Sequence, residues 1–327
     1  MKLSPNFVSY GLLCLPGVIA WGELGHNTTG YLASYFVSPS TEAHLKNLLN
    51  NQNEDYLANV ATWADLFRKR PEGRFTRNFH FIDAHDDPSN QVCEVDYIRD
   101  CKAGGCIISA LANYTERARD KSLCESQRQQ AVKLLVHFIG DLHQPLHNED
   151  VGKGGTQIQV LWRRAGKDLH EVWDSSIPEK MTKPLRTGSN EIAFQWAKEL
   201  AREINDGKFA AKKQKWLEKF DPTDPIGTAM AWSNEANDYV CTHGEIPQFL
   251  SWTIPPAYVI SNAVFPPGLD PKNIEGKNLT DNGYYDKAAP IVEEQVARAG
   301  FRMAAWLDGI FDSVRAKNGV NKAVDEL

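Results

Sequence analysis

Between Ala131 and Leu142, apolar residues recur at spacings of three and four: Ala131, Leu134, Leu135, Phe138 and Leu142. That period makes one face of an α-helix, and the same turns carry His137 and Asp141. A helix of this kind must turn its face inward and take an imidazole and a carboxylate with it. The pattern recurs near the C-terminus in Val292, Val296, Ala299, Met303, Leu307 and Ile310, after Pro290 in what reads as a first helical turn. Segments around 40–50, 108–120, 189–205 and 227–240 also read as helices. Strand signals are few; only Thr156 to Trp162 alternates briefly. The expected fold is therefore all-α, a mainly helical single domain with a short β-hairpin.

Residues Met1 to Ala20 carry one charge, Lys2, and an apolar stretch ending in Val18-Ile19-Ala20. Such a segment reads as a secretory signal peptide, and with Pro16 inside it is too short to span a bilayer. The expected division is 1–20 as signal and 21–327 as one domain. Within the latter, residues 244–276 are an excursion rich in proline and aromatic residues, where proline density prevents helix. The acidic balance, −6 for the whole chain, argues against nucleic acid as a partner if charge alone is considered. A secreted chain should oxidise its thiols. Cys101 and Cys106 bracket a short KAGG loop that can close, and Cys93 could then bridge to Cys241, with Cys124 left over. The sequence does not fix this pairing. Of three glycosylation sequons, Asn113 and Asn278 are plausible acceptors, whereas Asn27 beside His26 is too crowded.

His137 and Asp141 lie one helical turn apart, so both project from one face. Pro145 ends that helix, and His147 follows in HQPLH. His170 and Asp174 in HEVWD repeat the four-residue spacing. Asp65, His80 and His26 complete the group. A single His–Asp pair commonly serves as a buried hydrogen bond. Two pairs with three further histidines and another aspartate instead form a set suited to zinc. The remaining histidines, His44, His85, His143 and His243, are assigned to surface or supporting positions, with His143 facing away from His137. If the chain begins at Trp21, its α-amino group and carbonyl can close a chelate ring, with His26 within reach.

The segments WGELGH, ANVATWAD, HFIDA, DYIRDC, HFIGDLHQPLH, LHEVWD, GYYDKAAP and AGFRMAAWLD together resemble the fungal and plant zinc nucleases of the S1/P1 type over nearly the whole chain after Ala20. The resemblance implies single-strand-specific cleavage of DNA and RNA, 3′-nucleotidase activity, and three zinc ions in a cleft. Asp65, His80, His137 and Asp141 would hold one zinc. His147, His170 and Asp174 would hold a second. Trp21 and His26 would hold the third, with Asp141 bridging. Asp65 would also orient a hydroxide that attacks phosphorus in line, leaving a 5′-phosphate product, while the zinc at Trp21 stabilises the departing 3′-oxygen. The metals would supply positive field locally, which answers the objection from net charge. Phe81 matches the family's base-stacking residue and Asp83 the carboxylate that bonds the base edge.

Three positions depart from the family pattern: Arg68 where lysine is frequent, Thr156 after Gly154-Gly155 where asparagine is usual, and Lys153 where the residue tends to be apolar. Arg68 can still clamp phosphate. The expected consequence of the other two is an altered substrate preference, towards RNA or mononucleotides. Single-stranded nucleic acid and 3′-nucleotides are the expected substrates of a secreted monomer with no membrane span and no obligate protein partner. Two alternatives remain from the residues themselves. One is a zinc phospholipase C, which shares the helical fold and the N-terminal tryptophan ligand. The other is a protein with purely structural metals, which the three-ligand set at His147, His170 and Asp174 argues against because structural zinc takes four protein ligands.

Overall fold

The computed structural model describes residues 21–88, 92–182, 189–241, 274–281 and 283–312. The signal-like segment 1–20, His243 and residues 244–273 of the proline-rich excursion lie outside them. The chain is mostly helical. Helices α1 (Glu23–Ser34), α2 (Pro39–Leu48), α3 (Ala58–Ala61) and α4 (Trp63–Phe67) lead into a 3₁₀ segment, Pro71–His80. After α5 (Tyr97–Asp100) come α6 (Ile107–Arg119) and α7 (Glu125–Leu142), then a 3₁₀ turn at Pro145–Asn148. A hairpin follows, β1 (Gln159–Trp162) antiparallel to β2 (Ala165–Asp168), with Trp162 opposite Ala165. The rest is α8 (Leu169–Glu171), a π-turn at Val172–Ser176, α9 (Ile177–Thr182), α10 (Ser189–Asn205), α11 (Pro225–Asn237) and α12 (Tyr284–Phe311). Among the described residues no helix is long and apolar enough to cross a membrane.

Helix α7 is the axis of the core. From Ala131 to Leu142 nearly every side chain is buried, and α7 packs against α1, α3, α4, α6 and α12. From Leu134 onward the helix is buried on all sides, as a central helix is, which is why His137 and Asp141 end in the interior. Glycines permit two of the close approaches that surround the site. A Cβ at Gly30 would lie 2.7 Å from the Ala58 backbone, so α1 can lie against α3 only because that atom is missing. At Gly140 of α7 a Cβ would come within 2.9 Å of His26 Nδ1.

Several expectations need correction. Pro290 is not in the first turn of the last helix: α12 starts at Tyr284, and Pro290 sits in its interior. The backbone bond it cannot make lies on an exposed side of the helix, where the cost is smallest. The strand expected from Thr156 begins only at Gln159, because Gly154 and Gly155 have positive φ and residues up to Gln157 complete a tight turn. Of the histidines expected at surface or supporting positions, His143 is fully buried, donating from Nδ1 to the Ile139 carbonyl, with Nε2 accepting from Arg302. His44 is half-buried against Phe311, and His85 is exposed.

The disulfides are Cys93–Cys241 and Cys101–Cys106, and Cys124 is free and exposed. Asn27 is buried and donates to Asn190, which leaves no room for a glycan, whereas Asn113 is exposed and Asn278 half-buried.

Candidate metal centre

Local chain geometry presents each polar side chain of the cluster separately. His137 and Asp141 are successive turns of α7. The helix ends at Leu142, two residues short of Gln144, which is extended because Pro145 follows it. Pro145 then starts the 3₁₀ turn that holds His147. Asp65 lies on α4, and His80 is the last residue of the 3₁₀ segment. His170 and Asp174 do not share a regular α-helix: Asp174 sits in the π-turn, a wider ring that nonetheless brings His170 Nε2 to 3.0 Å from Asp174 Oδ2. Trp21 is buried just before α1, and the Gly22 amide donates to the Asp174 carbonyl at 2.8 Å. The start of α1, including His26, is thereby fixed to the turn that carries Asp174.

These side chains converge. The potential ligand atoms of His26, Asp65 and His137 lie within 4.8 Å of one another; so do those of His80, His137 and Asp141, and those of His147, His170 and Asp174. Asp141 divides its two oxygens. Oδ1 is 3.1 Å from His26 Nε2, while Oδ2 is 3.0 Å from His80 Nδ1 and 3.2 Å from His137 Nε2. The His26 and His137 rings stack at 4.0 Å.

Tautomers follow from the outer partners. His137, His147 and His170 each donate from Nδ1 to a backbone carbonyl, of Ala61 (2.6 Å), His80 (2.7 Å) and Gly154 (2.6 Å). In the neutral rings each Nε2 therefore offers a lone pair. His147 Nε2 faces His170 Nε2 at 3.1 Å, lone pair against lone pair. Such a contact is repulsive unless a proton or a cation lies between. His26 Nε2, both Asp65 oxygens, His80 Nε2, Asp141 Oδ1 and Asp174 Oδ2 are buried without a hydrogen-bond partner. Several have a neighbour at 2.9–3.1 Å, but off hydrogen-bonding angles. Atoms aimed at shared points rather than at each other fit metal coordination. The mixture of imidazole and carboxylate suits zinc.

Charge agrees with that fit. Burial raises the Asp141 carboxyl, but the surrounding imidazoles, His137 foremost, outweigh it and hold the group well below the usual carboxylate range. Asp65 is lowered in the same way by His137 and Arg68 against burial. Burial lowers His26 and His147, and takes His80 down to about 3. His137 and His170 go the other way: burial lowers them, yet attraction to Asp141 and Asp174 respectively leaves both raised.

Around the centre, Arg68 pairs with Asp65 Oδ1 at 2.9 Å. Phe81, half-buried, directly follows His80. Asp83 is half-buried with Lys102 at 3.7 Å, and burial together with Asp150 raises its carboxyl. Lys153 is exposed and has φ 52°, where a β-branched replacement such as valine would be strained; asparagine is the informative substitution there. The Thr156 hydroxyl donates to the Lys153 carbonyl inside its own turn. Gly154 supports the centre: its carbonyl orients His170, and a Cβ on it would lie 2.6 Å from the Leu146 carbonyl.

One residue of the centre has no role in the sequence reading, although it lies in the HQPLH motif. Gln144, fully buried, accepts from the Leu146 amide at 2.6 Å and donates to Asp174 Oδ1 at 2.6 Å. It occupies one oxygen of Asp174 and turns the other towards His170. Gln144→Leu should weaken metal binding at the His147–His170–Asp174 set roughly 10–100-fold, as loss of such an orienting partner does. Chelator competition, with melting temperature as the folding control, checks this; unchanged affinity would remove Gln144 from the centre.

The family model described as S1/P1 nuclease matches residues 21–312. Nuclease S1 of Aspergillus oryzae is 40% identical over 288 residues, covering 88% of this chain and 91% of that protein. Nuclease P1 of Penicillium citrinum is 36% identical over 299 residues, covering 91% of this chain and 100% of that protein. Endonuclease 3 of Arabidopsis thaliana is 27% identical over 305 residues, covering 91% and 92%.

Proposed function

This chain belongs to the S1/P1 nuclease family, and from that premise we propose that it is a zinc-dependent phosphodiesterase. It would cleave single-stranded DNA and RNA to 5′-phosphate products and remove phosphate from 3′-nucleotides. The observation that carries the reading is the division of Asp141, whose two oxygens face separate imidazoles, His26 on one side and His80 with His137 on the other. One carboxylate serving two neighbouring positions, beside a third set at His147, His170 and Asp174, makes room for three ions.

Bound zinc would supply Lewis acidity and lower the pKa of coordinated water. The residues account for the rest. Asp65 has an unpartnered oxygen with which to orient the attacking water. Arg68, fixed through one nitrogen by Asp65, keeps other donors for a phosphate oxygen. Phe81 would stack on an unpaired base, a contact that any base can make, and Asp83 would take a hydrogen bond from the base edge. A duplex offers no free base face, so single strands are preferred. On the same reading residues 1–20 direct export, the secreted chain begins at Trp21 as a monomer, and Asn113 and Asn278 carry glycans.

Elemental analysis combined with assays on single-stranded DNA, duplex DNA, RNA, a 3′-nucleotide and phosphatidylcholine, before and after chelation, tests this. Three zincs per chain are expected, with cleavage of single strands and of the 3′-nucleotide that is lost on chelation and restored by zinc. Activity that survives complete metal removal, or hydrolysis of phosphatidylcholine alone, would overturn the proposal.

A further inference from the structure

The stretch between the two site residues Asp65 and His80 carries an unusual load. It holds Arg68, Lys69, Arg70, Arg74 and Arg77 against a single acid, Glu72, in a chain of net charge −6. Among the described residues, Lys69, Arg70, Arg74 and Arg77 make no ion pair, and all four are exposed. Two large apolar side chains lie exposed among them: Leu66 is 55% and Phe75 57% exposed. Exposed apolar area beside cations without ion-pair partners is a surface that can take a flat, negatively charged ligand.

Local geometry orders these groups. Pro71–His80 is a 3₁₀ segment, in which every third residue shares a face. Gly73 and Thr76 are buried and Phe79 half-buried, so that face looks inward. It is held there firmly. The Thr76 hydroxyl donates to the Gly73 carbonyl at 2.7 Å, and a Cβ at Gly73 would collide with the Phe67 carbonyl. The next face runs Arg74, Arg77, His80, two exposed guanidiniums in line with a residue of the candidate metal centre. A turn of about 6 Å separates them, close to the step between successive phosphates of an extended strand. The third face presents Phe75, whose ring meets Phe67 and Phe79 edge to face at 6.3 and 6.1 Å. Its neighbours thus fix the ring while more than half of it stays open to solvent.

We propose that Arg74, Phe75 and Arg77 form an accessory subsite for a nucleotide of the single-stranded substrate lying outside the nucleotides at the scissile bond. Phe75 stacks on the base, and the two arginines take flanking phosphates. The inference rests on the nuclease reading above and adds contacts one to two 3₁₀ turns along the segment from His80, with Arg77 Nε also donating to the Arg68 carbonyl at 3.4 Å. Long strands gain from it, while a dinucleotide, whose two nucleotides flank the scissile bond, has no further nucleotide to fill it.

The test compares a 12-nucleotide single strand with a dinucleotide, using the zinc-loaded enzyme. Phe75→Ala should raise KM for the long strand about ten-fold, in the range of loss of one base–aromatic stack, and so lower the ratio of long-strand to dinucleotide kcat/KM. Phe75→Trp should restore that ratio. Arg74→Gln combined with Arg77→Gln should flatten the dependence of log KM for the long strand on log salt by about 1.4, for two phosphate contacts on a single strand. Equal changes on both substrates, or no change on the long strand in a variant with unaltered melting temperature, would overturn the subsite alone. A wild-type enzyme that cuts neither substrate would overturn the nuclease reading and the subsite with it.

Discussion

Asp141→Asn should abolish function more completely than any other single substitution at the centre. The carboxylate is fully buried, its oxygens face three imidazoles, and the same electrostatics that hold it ionised would be left without a counter-charge. An amide is nearly the same size, so packing around α7 should survive. What disappears is the charge that neighbouring cations share. We expect activity on single-stranded DNA to fall by at least about 10³-fold, the scale for removing a principal electrostatic group. If the centre holds the three zincs proposed above, zinc content should fall from three per chain to one, the survivor being the ion at His147, His170 and Asp174. Melting temperature and elemental analysis on the same sample separate loss of metal from loss of fold. A variant that keeps three zincs and normal turnover would refute the bridging role.

Acid should strip the centre, and loading it should release a countable number of protons. His26, His80 and His147 are lowered by burial, His80 to about 3, so near neutrality they are already unprotonated and ready to bind. His137 and His170 are raised by Asp141 and Asp174 against burial, so in the metal-free protein they tend to keep a proton that stands in for the cation. Zinc must displace those protons. Loading the metal-free protein near pH 7 should therefore release protons from His137 and His170, and from the α-amino group if the chain begins at Trp21. Calorimetry in buffers of different ionisation enthalpy counts them.

The signs differ for metal-free stability. The stabilisation linked to the lowered histidines is present above pH 6.5 and is lost as pH falls from there towards about 3, the folded value of His80. That of the raised pair is complete below pH 6.5 and is lost as pH rises through their folded values. Metal retention and activity should accordingly weaken as pH falls, first through protonation of the raised pair His137 and His170 and last at His80, whose folded value is about 3. Activity undiminished at pH 4 with no proton release on loading would exclude these histidines as ligands.

Much of this was written in local patterns. Spacings of three and four located α7 and the interior of α12, because burying one helical face forces that period on any sequence. The His137–Asp141 turn was equally legible, since two side chains four apart on a helix must meet. Patterns of this kind did not reveal the π-turn at Val172–Ser176, because a four-residue spacing reads the same in either helix. Nor did they place Pro290 within α12, since the start of that helix depends on Gly283 and on packing rather than on proline. Which of the two positions, surface or supporting, His143 takes was also left open, its partner Arg302 lying far along the chain.

By itself, then, the order of residues determined which imidazoles and carboxylates exist, which of them share a helical turn, and that the fold would be helical. Only the tertiary structure decided that one aspartate faces two sets of histidines and that Gln144 holds Asp174. The reason is physical: periodicity reports the contacts a helix makes with itself, whereas those arrangements depend on distances between segments set by packing of the whole core.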